Sequence, residues 1–386
     1  MSTPPVTTEQ LDEAQHRPLP PEPGASSNSP SVWLLRLASA LVIPAVLVLF
    51  FFTFDFLKQE DINKIVQVVV AVLVGVGGIW LLYWGMDRAI SAMPERAGAA
   101  VRPFAFAGPA MVLLAFYLVY PAVNTFILSF QNSAATEFIA FDNYQRIFTE
   151  SVYLISIRNS VVWVLFVPAA ALAIGLGFAT LADKLSSRSE NVAKSLIFLP
   201  MAISFVGASV VWTFIYDFRT EGFGDQIGIL NAILVAFGGD PVNWMQVPLW
   251  NNLFLMIILV WLQTGFAMVI LSSAIKSVPE DQLEASRIDG ANEWQVFRRI
   301  VIPSIASTIV VVWTTILITT WKVFDIVFVM TGGGFDTSVV AERMVTEFFT
   351  FGNSGMGAAL AVLLFVAVVP ILVINVRRFR QQEATR

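Results

Sequence analysis

Long apolar runs separated by short polar ones set the rhythm of this chain of 386 residues. Eight windows hold no Asp, Glu, Lys or Arg: residues 37–54, 65–86, 103–130, 159–182, 195–216, a stretch within 241–275, 301–321, and a stretch within 348–376. A helix needs about 20 largely apolar residues to cross the hydrocarbon layer of a bilayer, and the windows match that length. The first is short and the sixth and eighth are over-long. Pro44, Pro109, Pro121 and Pro168 lie inside windows, where they predict kinks rather than ends, because neighbouring helices can satisfy the freed carbonyls. The pattern predicts an all-α integral membrane protein of eight transmembrane helices.

Composition agrees with lipid as part of the solvent. The chain is 56% hydrophobic and 13% charged, with mean hydropathy +0.73, whereas soluble domains carry about a quarter charged residues. Net charge, −5, matters less than where the basic residues fall. Segments 1–36, 87–102, 183–194, 276–300 and 377–386 hold sixteen of the 23 Lys and Arg, and the alternate segments hold seven. The positive-inside rule then places both termini in the cytoplasm. Residues 131–158, 217–250 and 331–347 face outward. The expected organisation is a disordered cytoplasmic tail over 1–31, two spans within 32–86, a cytoplasmic linker over 87–102, six spans within 103–380, and a short tail over 381–386. The first 31 residues lack an apolar core and are not a signal peptide. There is no cysteine, so disulfides, thiolate metal sites and Cys nucleophiles are excluded, and the one histidine, His16, lies in the polar tail, which argues against a His-based metal centre.

The segment 283–303, LEASRIDGANEWQVFRRIVIP, is polar between two apolar windows. Ser277 can cap a helix, Pro279 suits its first turn, and Glu280 and Asp281 complement its positive end. Gly290 supplies a left-handed stop, and Asn292 with Gln295 starts a second helix. The prediction is helix, sharp turn, helix, with Leu283 and Ile288 on one side and Glu284, Arg287 and Asp289 around it. Such a helix fits either a groove on a soluble partner or the headgroup layer.

The residues themselves favour the first. Glu284-Ala285-Ser286, Asp289-Gly290-Ala291, then Ile300 and Pro303 resemble the E-A-A-x-x-D-G-A and I-x-L-P pattern of ABC-importer permeases, with Ser286 and Ile302 as mild departures. Phe141-Asp142-Asn143-Tyr144 resembles the F-x-N-Y segment of sugar-importer permeases. Met330-Thr331-Gly332-Gly333-Gly334-Phe335 resembles their L-T-x-G-G-P, with Phe335 in place of Pro. The resemblance covers roughly residues 103–380 and is greatest to permeases for α-glucosides and glucosylglycerol-like solutes of the maltose-permease type. It implies a six-helix type I importer core with two added N-terminal spans in a bacterial inner membrane. It also implies a coupling helix at about 279–291, with Glu284, Ala285, Ser286, Asp289, Gly290 and Ala291 meeting an ATPase. The implied partners are an ATP-binding cassette ATPase dimer, a second permease subunit, an extracytoplasmic solute-binding protein, a small carbohydrate and membrane lipid; no nucleic acid is implied.

No G-x-x-x-x-G-K-S/T occurs, so ATP and Mg are expected on the partner and no cofactor on this chain. Gly75, Gly77 and Gly78 lie within a span and predict close helix packing instead. An ion-coupled carrier would need ionisable groups near mid-membrane, and the windows have none. An enzyme has equally little to work with. Sugars are held by planar hydrogen-bonding groups and aromatic faces. Trp261, Gln263 and Phe266 offer these, the last two sharing a helix face, as do Thr319, Thr320, Trp321 and Asp325. The resemblance points to Gln263, Phe266, Thr320, Trp321 and Asp325. Against this, Trp261 and Trp321 suit interface anchors, and Lys322 and Asp325 suit an i,i+3 pair. A non-sugar solute such as glycerol phosphate or a polyamine is the alternative cargo.

Overall fold

The computed structural model describes residues 30–59, 62–91, 93 and 95–384. The tail expected over 1–31 falls almost wholly outside them, as does His16. Every named element among the described residues is helical; Gln131 and Phe138 form an isolated bridge. The chain divides into two compact units, Met1–Tyr120 and Pro121–Arg386.

In the first unit lie α1 (Pro30–Leu57), α2 (Lys64–Ser91) and α3 (Glu95–Leu114). Of the three expected packing glycines, Gly78 alone meets a neighbour. A Cβ there would lie 2.6 Å from the Phe50 ring, while Gly75 and Gly77 face open space. Tyr83 stacks on Phe106 at 5.8 Å, and Arg102 pairs with Asp87 at 3.1 Å. The stretch expected as a linker is therefore mostly helical. The helices run through Pro44 and Pro109, and a π-helical turn at Ala115–Val119 precedes Pro121, whose missing N–H leaves a carbonyl behind it unpaired.

The second unit holds α4 (Tyr120–Leu128), α5 (Asp142–Ile147), α6 (Ser151–Ala182), α7 (Ser187–Phe198), α8 (Phe205–Ile215), α9 (Ile229–Ala236) and α10 (Trp250–Lys276). It continues with α11 (Glu280–Ile288), α12 (Glu293–Ser304), α13 (Ala306–Trp321), α14 (Asp325–Thr331), α15 (Val340–Val345) and α16 (Ser354–Ala384). Five helical stretches among the described residues are long and apolar enough to cross a membrane, or up to seven if each of two bent pairs is one span; Leu41–Leu57 is a shorter apolar helix.

Those bent pairs fall at the fifth and seventh apolar windows. α7 and its continuation meet α8 at 101°, and α12 meets α13 at 71°. Pro200 sits in the short turn Leu199–Ala202, and the Ser204 hydroxyl accepts the Gly207 N–H at 3.1 Å to start α8 afresh. A π-helical turn at Phe297–Val301 precedes Pro303, and Ile305 forms the second break. Apolar windows hid both bends because neither costs a charge.

α10 is the axis of the second unit: 61% of its apolar window is buried, against 28% at most for the other spanning helices. Lipid tails are as apolar as leucine, so helix association here depends on close contact, which small residues permit. A Cβ on Gly175 of α6 would lie 2.6 Å from the Ala267 Cβ, and one on Gly265 would lie 2.5 Å from the Ile197 carbonyl oxygen. The core between α6, α10 and α13 contains Trp163, Leu255, Leu259, Met268 and Ile316, all fully buried.

Candidate functional site: an elbow and a cavity joined by one helix

Beyond α10 the chain forms the expected helix, turn and helix, with different caps. Pro279 occupies the N-cap position of α11, and the Ser277 hydroxyl donates instead to the Ala274 carbonyl at 2.7 Å. The stop is made by Gly290 at φ +84°. Its N–H donates to the Arg287 carbonyl at 3.1 Å and the Ala291 N–H to the Ser286 carbonyl at 3.0 Å, the paired bonds of a Schellman motif. Asn292 and Gln295 then exchange hydrogen bonds of 2.9 Å each in a capping box. The Arg287 guanidinium straps across the turn to Glu293 at 2.9 Å, and that carboxylate holds its pKa above the ordinary arginine value.

The elbow has two faces. Leu283 packs partly buried against the core, and Ser286 is buried with its hydroxyl donating to the Leu283 carbonyl at 2.7 Å. Ala291 is half-buried. Glu284, Ala285, Ile288 and Asp289 are exposed, and Glu284 makes no ion pair among the described residues. Leu283 and Ile288 thus lie in opposite environments, because five residues turn a helix well past one face. Ile288 is 86% exposed and Trp294 is 65% exposed, an apolar pair beside a polar helix.

Further along α10 a cavity of about 260 Å³ is lined by Met201, Phe205, Leu262, Gln263, Phe266, Thr315 and Thr319. It lies at the bend between α7 and α8. Gln263 is 8% exposed, and its amide forms no hydrogen bond among the described residues. The Thr315 and Thr319 hydroxyls donate back to the Val311 and Thr315 carbonyls at 2.8 and 3.0 Å, which leaves their lone pairs free to accept. The lining offers amide donors, hydroxyl acceptors and aromatic or aliphatic walls, with no charged side chain. That chemistry suits a neutral, hydroxylated solute with an apolar face.

The structure brings Gln263 and Phe266 together but not the other expected contacts. Thr320 is buried, its hydroxyl spent on the Ile316 carbonyl. The Trp321 indole N–H donates to the Leu364 carbonyl at 3.0 Å, tying α13 to α16. Asp325 lies in the first turn of α14, outside the lining, and forms no ion pair with Lys322. Trp261 meets Trp212 edge-on at 5.8 Å within the core, so neither tryptophan is a free platform.

At the far end of α10 a polar clamp went unread in the sequence. Asn251 and Asn252 donate to the Phe335 and Asp336 carbonyls at 2.7 and 3.3 Å, and Asn159 donates to those of Asp336 and Ser338 at 2.7 and 2.8 Å. They hold a loop in which Gly332, Gly333, Phe335 and Asp336 all have positive φ. Buried Glu342 accepts from Ser338 and Thr346 at 2.6 Å each. In the Phe141–Tyr144 segment, buried Asn143 donates to the Ser129 and Gln131 carbonyls at 3.0 and 2.8 Å. Asn159, Asn251 and Asn252, inside apolar windows, were the available signal for the clamp.

Residues 171–381 match the family model described as "Binding-protein-dependent transport system inner membrane component". The chain is 46% identical over 335 residues to the alpha-glucoside transport system permease protein AglF of Rhizobium meliloti, covering 84% of this chain and 99% of that one. It is 49% identical over 278 residues to the osmoprotective compounds uptake permease protein GgtC of Synechocystis, covering 72% and 99%. A solved bacterial ABC transporter involved in the import of the acidic polysaccharide alginate shares the fold, with TM-score 0.64 at 19% identity over 74% of this chain and 99% of that chain.

Proposed function

Because this chain belongs to the family of binding-protein-dependent transport system inner membrane components, we propose that it forms half of the pathway of an ATP-driven importer for a neutral sugar or glycoside. It is an inner-membrane transport subunit rather than an enzyme, as are the relatives named permease proteins. The cavity beside α10 carries the reading of the cargo. A nearly buried amide without a protein partner costs free energy unless a ligand or water pairs it, and the uncharged lining gives nothing to balance a phosphate or a polyamine. Relatives named for alpha-glucoside transport and for uptake of osmoprotective compounds support the same class.

In this reading an extracytoplasmic binding protein delivers the solute, and a second permease subunit supplies the other half of the pathway. A dimer of ATP-binding cassette subunits holds ATP and Mg. Both termini and the elbow lie in the cytoplasm. The exposed face of α11, with Glu284 as its polar anchor, seats in the ATPase, and nucleotide-driven closure moves α11 as a lever whose angle Gly290 fixes. The six core spans then rock to open the cavity.

Uptake by the complete complex in proteoliposomes tests the cargo. An α-glucoside or glucosylglycerol should be accumulated. Gln263→Leu should raise the half-saturating concentration about tenfold, the effect of about 1.4 kcal/mol from one lost hydrogen bond. Uptake confined to glycerol phosphate or a polyamine would refute the assignment.

A further inference from the structure

Glu190 is a buried carboxylate that neither the elbow nor the cavity explains. It lies on α7 and is 5% exposed. Lys194, one turn on, approaches its Oε1 at 2.5 Å, and Lys276 reaches Oε1 at 2.7 Å and Oε2 at 2.8 Å. Lys276 is the last residue of α10, and only Ser277, Val278 and Pro279 separate it from α11. The root of the elbow is therefore tied by charge to a different helix.

That helix leads to the cavity. α7 runs from Glu190 to the turn Leu199–Ala202, and the wall residues Met201 and Phe205 follow directly. At its far end α7 is held a second time, where Gly265 lets α10 approach the Ile197 carbonyl and the Phe198 Cα. The α7 side chains Val192 and Leu196 are exposed, at 55% and 65%, so α10 holds α7 near both ends and leaves that side of it uncovered by this chain. A second cavity, of about 510 Å³, lies under the elbow between Lys276, Leu283 and Arg287, and leaves those groups room to shift.

Lys276 is 47% exposed, so solvent screens its pair with Glu190 and the pair adds little to simple adhesion; the best-attested use of an ionic group set among packed helices is to fix one arrangement or switch between two. A charge pair weakens only as the inverse of distance, so it survives small displacements that would break a hydrogen bond. We propose that Glu190 and Lys276 are positioning residues of transport: their ion pair delivers the movement of the elbow to α7, which pivots at Gly265 and moves the Met201–Phe205 wall of the solute cavity. This rests on the importer reading.

The test uses the complete complex, follows labelling of this chain, and exploits the absence of cysteine from it. With Met201→Cys as the reporter thiol, its alkylation rate is measured with and without ATP and vanadate, in the parent and in Glu190→Gln. The same rates are taken in the charge-exchanged Glu190→Lys/Lys276→Glu, which keeps one carboxylate among two lysines. In the parent the rate should change with nucleotide. In Glu190→Gln that change should shrink by about tenfold, the size of a typical coupling free energy, with basal ATPase unchanged, and the exchange should restore it. An unaltered response in Glu190→Gln overturns the proposal. So does a flat response in the parent, or a loss in which complex yield and basal ATPase fall together and the exchange does not rescue. A nucleotide response that depends on Glu190, in a complex that takes up no glycoside, would sink the cargo assignment and leave this inference standing.

Discussion

At one end of α10, Asn251 and Asn252 hold backbone carbonyls of the 331–338 loop; at the other, Lys276 holds the carboxylate of Glu190 and the chain turns out into an exposed helix. The first end uses neutral hydrogen bonds, which demand short distances and good angles, on a loop already forced into left-handed backbone. It can hold only one geometry. The second end uses an ion pair tolerant of displacement, a stop with open space around it, and an exposed ion pair between Arg287 and Glu293 that solvent screens. The same helix is thus held by short neutral bonds at one end and by a displaceable charge pair at the other, where the proposed lever begins. Between the two ends, Gly175 of α6 and its own Gly265 let α10 pack closely against α6 and α7.

The largest effect should come from breaking the anchored end. Asn251→Ala with Asn252→Ala removes the donors to the Phe335 and Asp336 carbonyls, at about 1–3 kcal/mol each. Thermal unfolding in detergent should show a clear fall in midpoint, and an unchanged midpoint would mean the clamp is not an anchor. At the hinged end the cost should be smaller and its consequence different. A Cβ at Gly290 meets nothing within 4 Å, so Gly290→Val suffers only the left-handed backbone, at about 1–2 kcal/mol. The variant should insert and show a smaller fall in midpoint than the double asparagine variant, yet lose solute-stimulated ATPase activity. Normal stimulation would remove Gly290 from the lever.

The elbow was legible because its signals are local. Gly290 and the Asn292–Gln295 pair each fix a few dihedrals and need no distant partner, and they form as the sequence predicts. The apolar windows announced the helices but not their bends at Pro200–Ser204 and Pro303–Ile305, because a window without charge looks alike whether straight or broken. The cavity was half legible. Gln263 and Phe266 share a face by spacing alone, whereas Met201 and Phe205 reach them only through the unforeseen bend. Thr319 lines the cavity while Thr320 does not, a difference of about 100° around one helix that sequence alone does not resolve. The Glu190–Lys276 pair joins residues 86 apart, and the clamp joins Asn159 to Ser338 across 179; neither partner announces the other locally.

In the proposed importer, force from a separate ATPase enters through the exposed face of α11. A single thiol at Ile288→Cys, in a chain with no other cysteine, reads this directly by crosslinking in inside-out and right-side-out vesicles of the complete complex. The thiol should crosslink to the ATP-binding subunit, and impermeant reagents should label it only where the cytoplasmic face is open. Labelling from the outer face, or a thiol that never joins the ATP-binding subunit, would contradict it.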